Sequence, residues 1–185
     1  MKTSVNPEVW KQFDENDVTH SMGHYLMAIR DLLKARGYAR VTDVASHLEV
    51  SRSSASTALA SLKKKGLVDE DDNHFLRLSP RGEAIALQIV RNHLVLENFF
   101  RHILGVEEEQ ALVDACKMEH LLSPETSYRL LALVQTLQND EELRRRAIEG
   151  VNGQVCQQPE ECPICSDTNP CPMDKSLSAL RKNPI

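Results

Sequence analysis

The sequence predicts a mainly α-helical protein interrupted by one small β hairpin, and three observations carry that expectation. Apolar residues recur at helical spacing in most segments between Val18 and Leu137. Serine stands directly before proline at Ser79-Pro80 and Ser123-Pro124, a pair that caps and starts a helix. Only around Asp69-Glu-Asp-Asp-Asn-His74 do two short apolar runs, Leu67-Val68 and Phe75-Leu-Arg-Leu78, take the form of strands joined by a polar turn.

A chain of 185 residues can hold one domain with a substantial core or two small ones. No stretch reaches the roughly 20 apolar residues of a membrane-spanning helix. The N-terminus Met1-Lys-Thr-Ser-Val-Asn-Pro7 lacks the apolar run of a signal peptide, so no membrane partner and a cytoplasmic location are expected. The net charge of -5 argues against indiscriminate coating of nucleic acid but leaves a local basic surface open. Of the 5 cysteines, Cys116 is alone, while Cys156, Cys162, Cys165 and Cys171 crowd the C-terminal end. In a reducing compartment such a cluster points to metal rather than to disulfides.

Residues 1–17 are polar and irregular, with Trp10 and Phe13 as anchors. From Val18, the positions Met22, Tyr25, Leu26, Ile29, Leu32 and Leu33 give a first amphipathic helix that also carries His24 and Met27 and ends at Gly37. Val41 to Leu48 forms a short helix with Thr42 as its cap. After the break Glu49-Val-Ser51 comes a second helix, Arg52 to Lys65, with an inward stripe of Ala55, Leu59 and Leu62. Two short helices around a tight turn outline a helix-turn-helix, and the hairpin after Gly66 is its wing.

The outward face of the second helix holds Arg52, Ser53, Ser54, Ser56, Thr57, Ser61 and Lys64. Small hydroxyl side chains let a helix approach base edges and phosphates, and the basic residues add attraction, so double-stranded DNA is the expected partner. A solvated serine-rich helix is the plainer alternative. The acidic wing tip is a poor phosphate contact, with Arg77 as the exception. Residues 18–80 are therefore expected to form a winged helix-turn-helix domain.

Residues 81–149 are expected to be all-α. A long helix from Pro80 to about Leu104 is apolar nearly all round its second half, so it should bury two faces, as in a homodimer. A helix from Glu107 to Leu122, another over 124–138 and a short charged one over 140–149 follow. The helix of 107–122 puts Cys116, Glu119 and His120 at i, i+3 and i+4 on one face. That face is either a metal half-site or a small core cysteine beside two solvated polar residues. Residues 150–185 form a tail rich in Gln, Pro, Asn and Cys.

Taken in order, Tyr25-Leu26, Val50-Ser-Arg-Ser-Ser54, Gly66-Leu-Val68, Leu78-Ser-Pro-Arg-Gly82 and Cys116-Lys-Met-Glu-His120 before Ser123-Pro-Glu125 resemble the diphtheria toxin repressor family of metal-dependent transcriptional regulators. The resemblance covers roughly residues 20–138 and implies a two-domain form without the SH3-like third domain. It implies a divalent cation held by Cys116, Glu119 and His120, with His24 on the first helix and with His93 and Glu97, one turn apart, at a second or enlarged site. It also implies an operator-binding homodimer, a repressor in which the cation fixes the spacing of the two recognition helices. Two positions depart from the family: Leu112 stands where some iron-type members have histidine, and Met27 where manganese-type members have glutamate.

A thiolate with imidazoles is softer than an oxygen-rich set, so iron(II) is favoured over manganese(II). The tail thiols suit a structural zinc or an iron-sulfur cluster equally well by count. If those thiols carry the signal, the protein is instead a winged-helix redox or iron-sulfur sensor. No nucleophile, phosphate loop or substrate-positioning arginine cluster accompanies the candidate ligands, so an enzyme is not expected.

Overall fold

The computed structural model describes residues 18–153; Trp10, Phe13 and the tail cysteines Cys156, Cys162, Cys165 and Cys171 lie outside them. The first helix, α1 (His20–Arg36), starts where the Thr19 hydroxyl accepts a hydrogen bond from the Met22 N–H at 3.3 Å. It ends where Gly37 turns left-handed at φ 78° and returns its N–H to the Leu33 carbonyl.

Helices α2 (Val41–His47) and α3 (Arg52–Lys64) form the expected helix-turn-helix. Helix α2 begins at Val41, as expected, but Thr42 does not cap it: Arg40 is the N-cap residue, and the Asp43 carboxylate accepts the Arg40 N–H at 3.0 Å. Ser51 caps α3 through the Ser54 N–H, and Ala55, Leu59 and Leu62 are fully buried as one stripe. Strands β1 (Val68–Glu70) and β2 (Leu76–Leu78) pair antiparallel with Val68 opposite Leu78. The Leu76 N–H also reaches the Ala39 carbonyl at 2.8 Å, which ties the wing to the segment before α2.

Helix α4 (Pro80–Asn98) is the spine, because it packs against α1, against β2 and against the next two helices of the chain. Its start is welded to the turn after α3. The Ser79 N–H donates to the Leu67 carbonyl at 3.0 Å, and the Ser79 hydroxyl to the Gly66 carbonyl at 2.8 Å. A β-carbon on Gly82 would lie 2.1 Å from that same Leu67 oxygen, so only glycine lets the two backbones meet. Arg30 on α1 donates to Glu83 on α4 at 3.0 Å, a link between the two halves of the molecule.

The long helix stops short of Leu104. A π turn, Phe99–Ile103, replaces its last turn, with the Leu104 N–H bonded to the carbonyl of Phe99 five residues back. Helix α5 (Glu108–Met118) is likewise shorter than expected: Glu119 caps it, and a turn through Leu121 leads to the Ser123 cap of α6 (Pro124–Asn139). Helix α7 (Glu141–Gly153) runs past Gly150, the expected boundary of the tail. Arg144 and Arg145 pair with Glu141, Glu142 and Glu149 at 2.7–2.8 Å along its surface, the spacing that supports an exposed helix.

Candidate metal centre

Three helices converge on one small volume. The first turn and a half of α1 carries His20 and His24, four residues apart and so on one face. Their Nε2 atoms lie 3.0 Å apart, and each is 3.5 Å from the Cys116 sulfur on α5. The ligating atoms of these three residues all fall within 4.8 Å of one another.

Behind the cluster, Glu119 is 2% exposed, and its carboxylate is 2.7 Å from Nδ1 of His93 on α4. Asn92, 1% exposed, holds this corner in place. Its amide donates to the Glu119 carbonyl in a short hydrogen bond and to the Leu122 carbonyl at 3.4 Å, while its oxygen accepts from Gln88 at 2.7 Å. The ring of His120 stands 4.9 Å from that of His20, and its Nδ1 is buried without a protein partner.

Burial governs the charge state of these groups. It lowers the pKa values of His24 and His120, helped in each case by neighbouring imidazoles, and it raises that of the Cys116 thiol, helped by Glu119. Burial also raises Glu119 despite its bond to His93. The lowered pKa values favour the neutral imidazoles whose lone pairs ligation requires, whereas the raised thiol pKa means that Cys116 must release a proton to bind a cation. An unpaired buried imidazole nitrogen beside two imidazoles and a thiol is a donor set that fits a divalent transition metal.

Of the residues the sequence offered, the fold brings His24 to Cys116, His93 to Glu119, and His120 alongside. Glu97 instead lies 3.8 Å from Arg101, its neighbour one turn on. Leu112 is exposed, in keeping with no ligand role at that position. His20 joins the cluster without being among those candidates, although the His-x-x-x-His spacing at the helix start is a signal for it.

On α3, Arg52, Ser53, Ser54, Ser56, Thr57 and Lys64 are exposed and Ser61 is half-buried. Part of the hydroxyl array is already engaged. Ser53 and Ser54 bond the Ser51 hydroxyl at 2.9 and 2.8 Å, and Thr57 donates to the Ser53 carbonyl at 3.0 Å. Lys63 makes a short ion pair with Glu70 of the wing, which also holds His74 at 2.8 Å. Arg77 lies 3.8 Å from Asp71.

Two family models match this chain. One, described as the iron dependent repressor N-terminal DNA binding domain, covers residues 17–74, and the other, the iron dependent repressor metal binding and dimerisation domain, covers residues 79–146. The HTH-type transcriptional regulator MntR of Lysinibacillus sphaericus is 34% identical over 128 residues, 69% of this chain and 91% of that protein. Among solved structures, IdeR of T. acidophilum matches with a TM-score of 0.50 and 25% identity over 60% of this chain. A manganese-dependent transcriptional repressor in complex with manganese matches with a TM-score of 0.50 and 28% identity over 62% of it. The chain spans about half the length of these two solved repressors, 52% of each.

Proposed function

This chain belongs to the diphtheria toxin repressor family of metal-dependent transcriptional regulators, and on that premise we propose that it is a homodimeric repressor whose grip on operator DNA tightens when a divalent cation joins α1 to α4 and α5. The observation that carries the proposal is the meeting of His24, from the DNA-binding domain, with Cys116, from the helices that follow, at 3.5 Å. The proposed ligands are His24, Cys116 and His120, with Glu119 and His93 at the adjacent position; Glu97 would have to leave Arg101 to join them. A cation bound there supplies the positive charge that compensates thiolate and carboxylate and fastens the two halves together.

The residues Arg52, Ser53, Ser54, Ser56, Thr57, Ser61 and Lys64 are the proposed operator contacts. Exposed Leu87 and Leu94, seven residues apart on α4, support a dimer that covers them. The four tail cysteines are kept as a separate zinc or iron-sulfur site, read out by the metal lost when they are replaced by serine. The softness of thiolate and imidazole supports iron(II) as the signal. The manganese held by the related manganese-dependent repressor favours a second version, in which the same site answers to manganese(II).

The test is operator binding at fixed salt and without air, with iron(II), with manganese(II) and with neither. A coupling between the two sites of about 5- to 150-fold is the expected gain, larger for iron(II) at equal free concentration. A larger gain with manganese(II) selects the second version. Equal operator affinity in all three, for protein demonstrably loaded with metal, would refute both.

A further inference from the structure

Resting on the assignment of this corner as a regulatory metal centre, we propose that His20 is one of its ligands, so that α1 contributes two imidazoles and the cation is held by His20, His24, Cys116 and His120. The spacing of the first three is the main support. Nitrogen ligands at about 2.05 Å and a thiolate at about 2.3 Å around a tetrahedral ion place nitrogen about 3.3 Å from nitrogen and about 3.6 Å from sulfur. The observed triangle has one edge of 3.0 Å between nitrogens and two of 3.5 Å to sulfur. It is close to one face of that tetrahedron, and side-chain adjustment of only a few tenths of an ångström completes the match.

His120 is the candidate for the fourth corner. It has a buried nitrogen without a partner, and its ring lies 4.9 Å from that of His20, but its ligating atoms stand outside the cluster of His20, His24 and Cys116 and must swing inward to complete the set. Of the remaining candidates, His93 is hydrogen-bonded to Glu119 at 2.7 Å, and Glu97 lies 3.8 Å from Arg101, whose closer partner is Glu108 at 2.7 Å. His20 is the first residue of α1, and its position there is not prohibitive. A cation beside a helix N-terminus is disfavoured only weakly, by a surface-level dipole effect that is small against the affinity of a four-donor site. A set of three imidazoles and one thiolate also suits iron(II), cobalt(II) or zinc(II) better than manganese(II). His20 would therefore shape metal choice as well as affinity.

The experiment uses the full-length chain with the four tail cysteines replaced by serine, so that every thiolate signal comes from Cys116, and titrates it with cobalt(II) without air. The parent should show the strong visible absorption of four-coordinate cobalt together with thiolate-to-cobalt charge transfer. His20→Ala and His20→Gln should each weaken cobalt binding at least about 10-fold and convert the spectrum toward the weak absorption of higher coordination, with helix content unchanged by circular dichroism. If both variants keep the parent's affinity and spectrum while Cys116→Ser loses them, His20 is not a ligand and the metal centre itself stands. If Cys116→Ser also behaves as the parent, the metal centre fails and the proposal fails with it.

Discussion

Asn92 is a polar residue placed among apolar neighbours on the spine helix, and its side chain explains why the end of α5 sits where it does. Backbone carbonyls at a helix C-terminus lack intrahelical donors, and here the Asn92 amide serves Glu119 and Leu122 from across the interface. Asn92→Leu keeps the branched heavy-atom shape but leaves buried carbonyls without a donor. We expect a loss of about 1–3 kcal/mol in thermal or denaturant unfolding. Metal affinity should fall as well, since Glu119 is no longer held against His93; unchanged stability and affinity would show that Asn92 positions nothing. The need for this residue was not legible in the sequence, where Asn92 is one polar residue next to the more conspicuous His93. Its partners are 27 and 30 residues away, and only packing brings them near.

At the level of elements, the junction between α3, the wing and α4 is a single structural joint. Gly66-Leu-Val68 and Leu78-Ser-Pro-Arg-Gly82 stand apart in the chain, yet Ser79 and Gly82 both close on the Leu67 carbonyl or its neighbour. Gly82→Ala must push the start of α4 away from that oxygen, and overpacking of this kind costs about 1–3 kcal/mol. A melting temperature equal to that of the parent would contradict the close approach.

The wing itself is coupled to the recognition helix through Glu70, which is shared by Lys63 and His74. The hydrogen bond from Lys63, and then that from His74, holds the Glu70 carboxyl below the ordinary carboxylate range. A carboxyl depressed in the folded state stabilises the fold above its unfolded pKa and ceases to do so as pH falls through the folded one. The contribution is thus present at neutral pH and vanishes in acid, and as a surface pair it amounts to at most about 1 kcal/mol. Glu70→Gln should flatten the acid limb of the stability profile by that amount. It also releases Lys63, so the salt dependence of operator binding should steepen by up to about one counterion. An unaltered acid limb would show that the pair contributes nothing.

At the scale of the molecule, function depends on whether metal and DNA see the same two-state arrangement. The His24-Cys116 and Arg30-Glu83 contacts both cross from the DNA-binding half to the helices behind it, so the position of α1 is the variable that the cation would fix. Operator DNA should tighten metal binding by the same factor that metal tightens operator binding. The proposed dimer would add the requirement that two recognition helices be presented at once. Leu94 is 52% exposed on α4, and Leu94→Glu should turn a dimer into a monomer in sedimentation and lower operator affinity even with metal present. A variant that stays dimeric would move the interface to another face.

What is local follows from residue order alone. Ser79 and Ser123 cap the helices they were expected to start, because a cap bonds within three residues of itself. The stripe Ala55-Leu59-Leu62 fixed which side of α3 is buried, and a helix with an inward stripe has no choice about its outward face. Element ends were less legible, as the π turn after Asn98 and the extension of α7 past Gly150 show. The candidate site depends on long-range packing. His20 and Cys116 are 96 residues apart, and their 3.5 Å contact exists because α4 carries α1 on one side and α5 on another. The same packing left Glu97 with Arg101, a pairing that spacing along the helix equally allowed but could not choose over a metal. Residue types and periodicity select candidates; which lone pairs share a centre depends on how three helices pack.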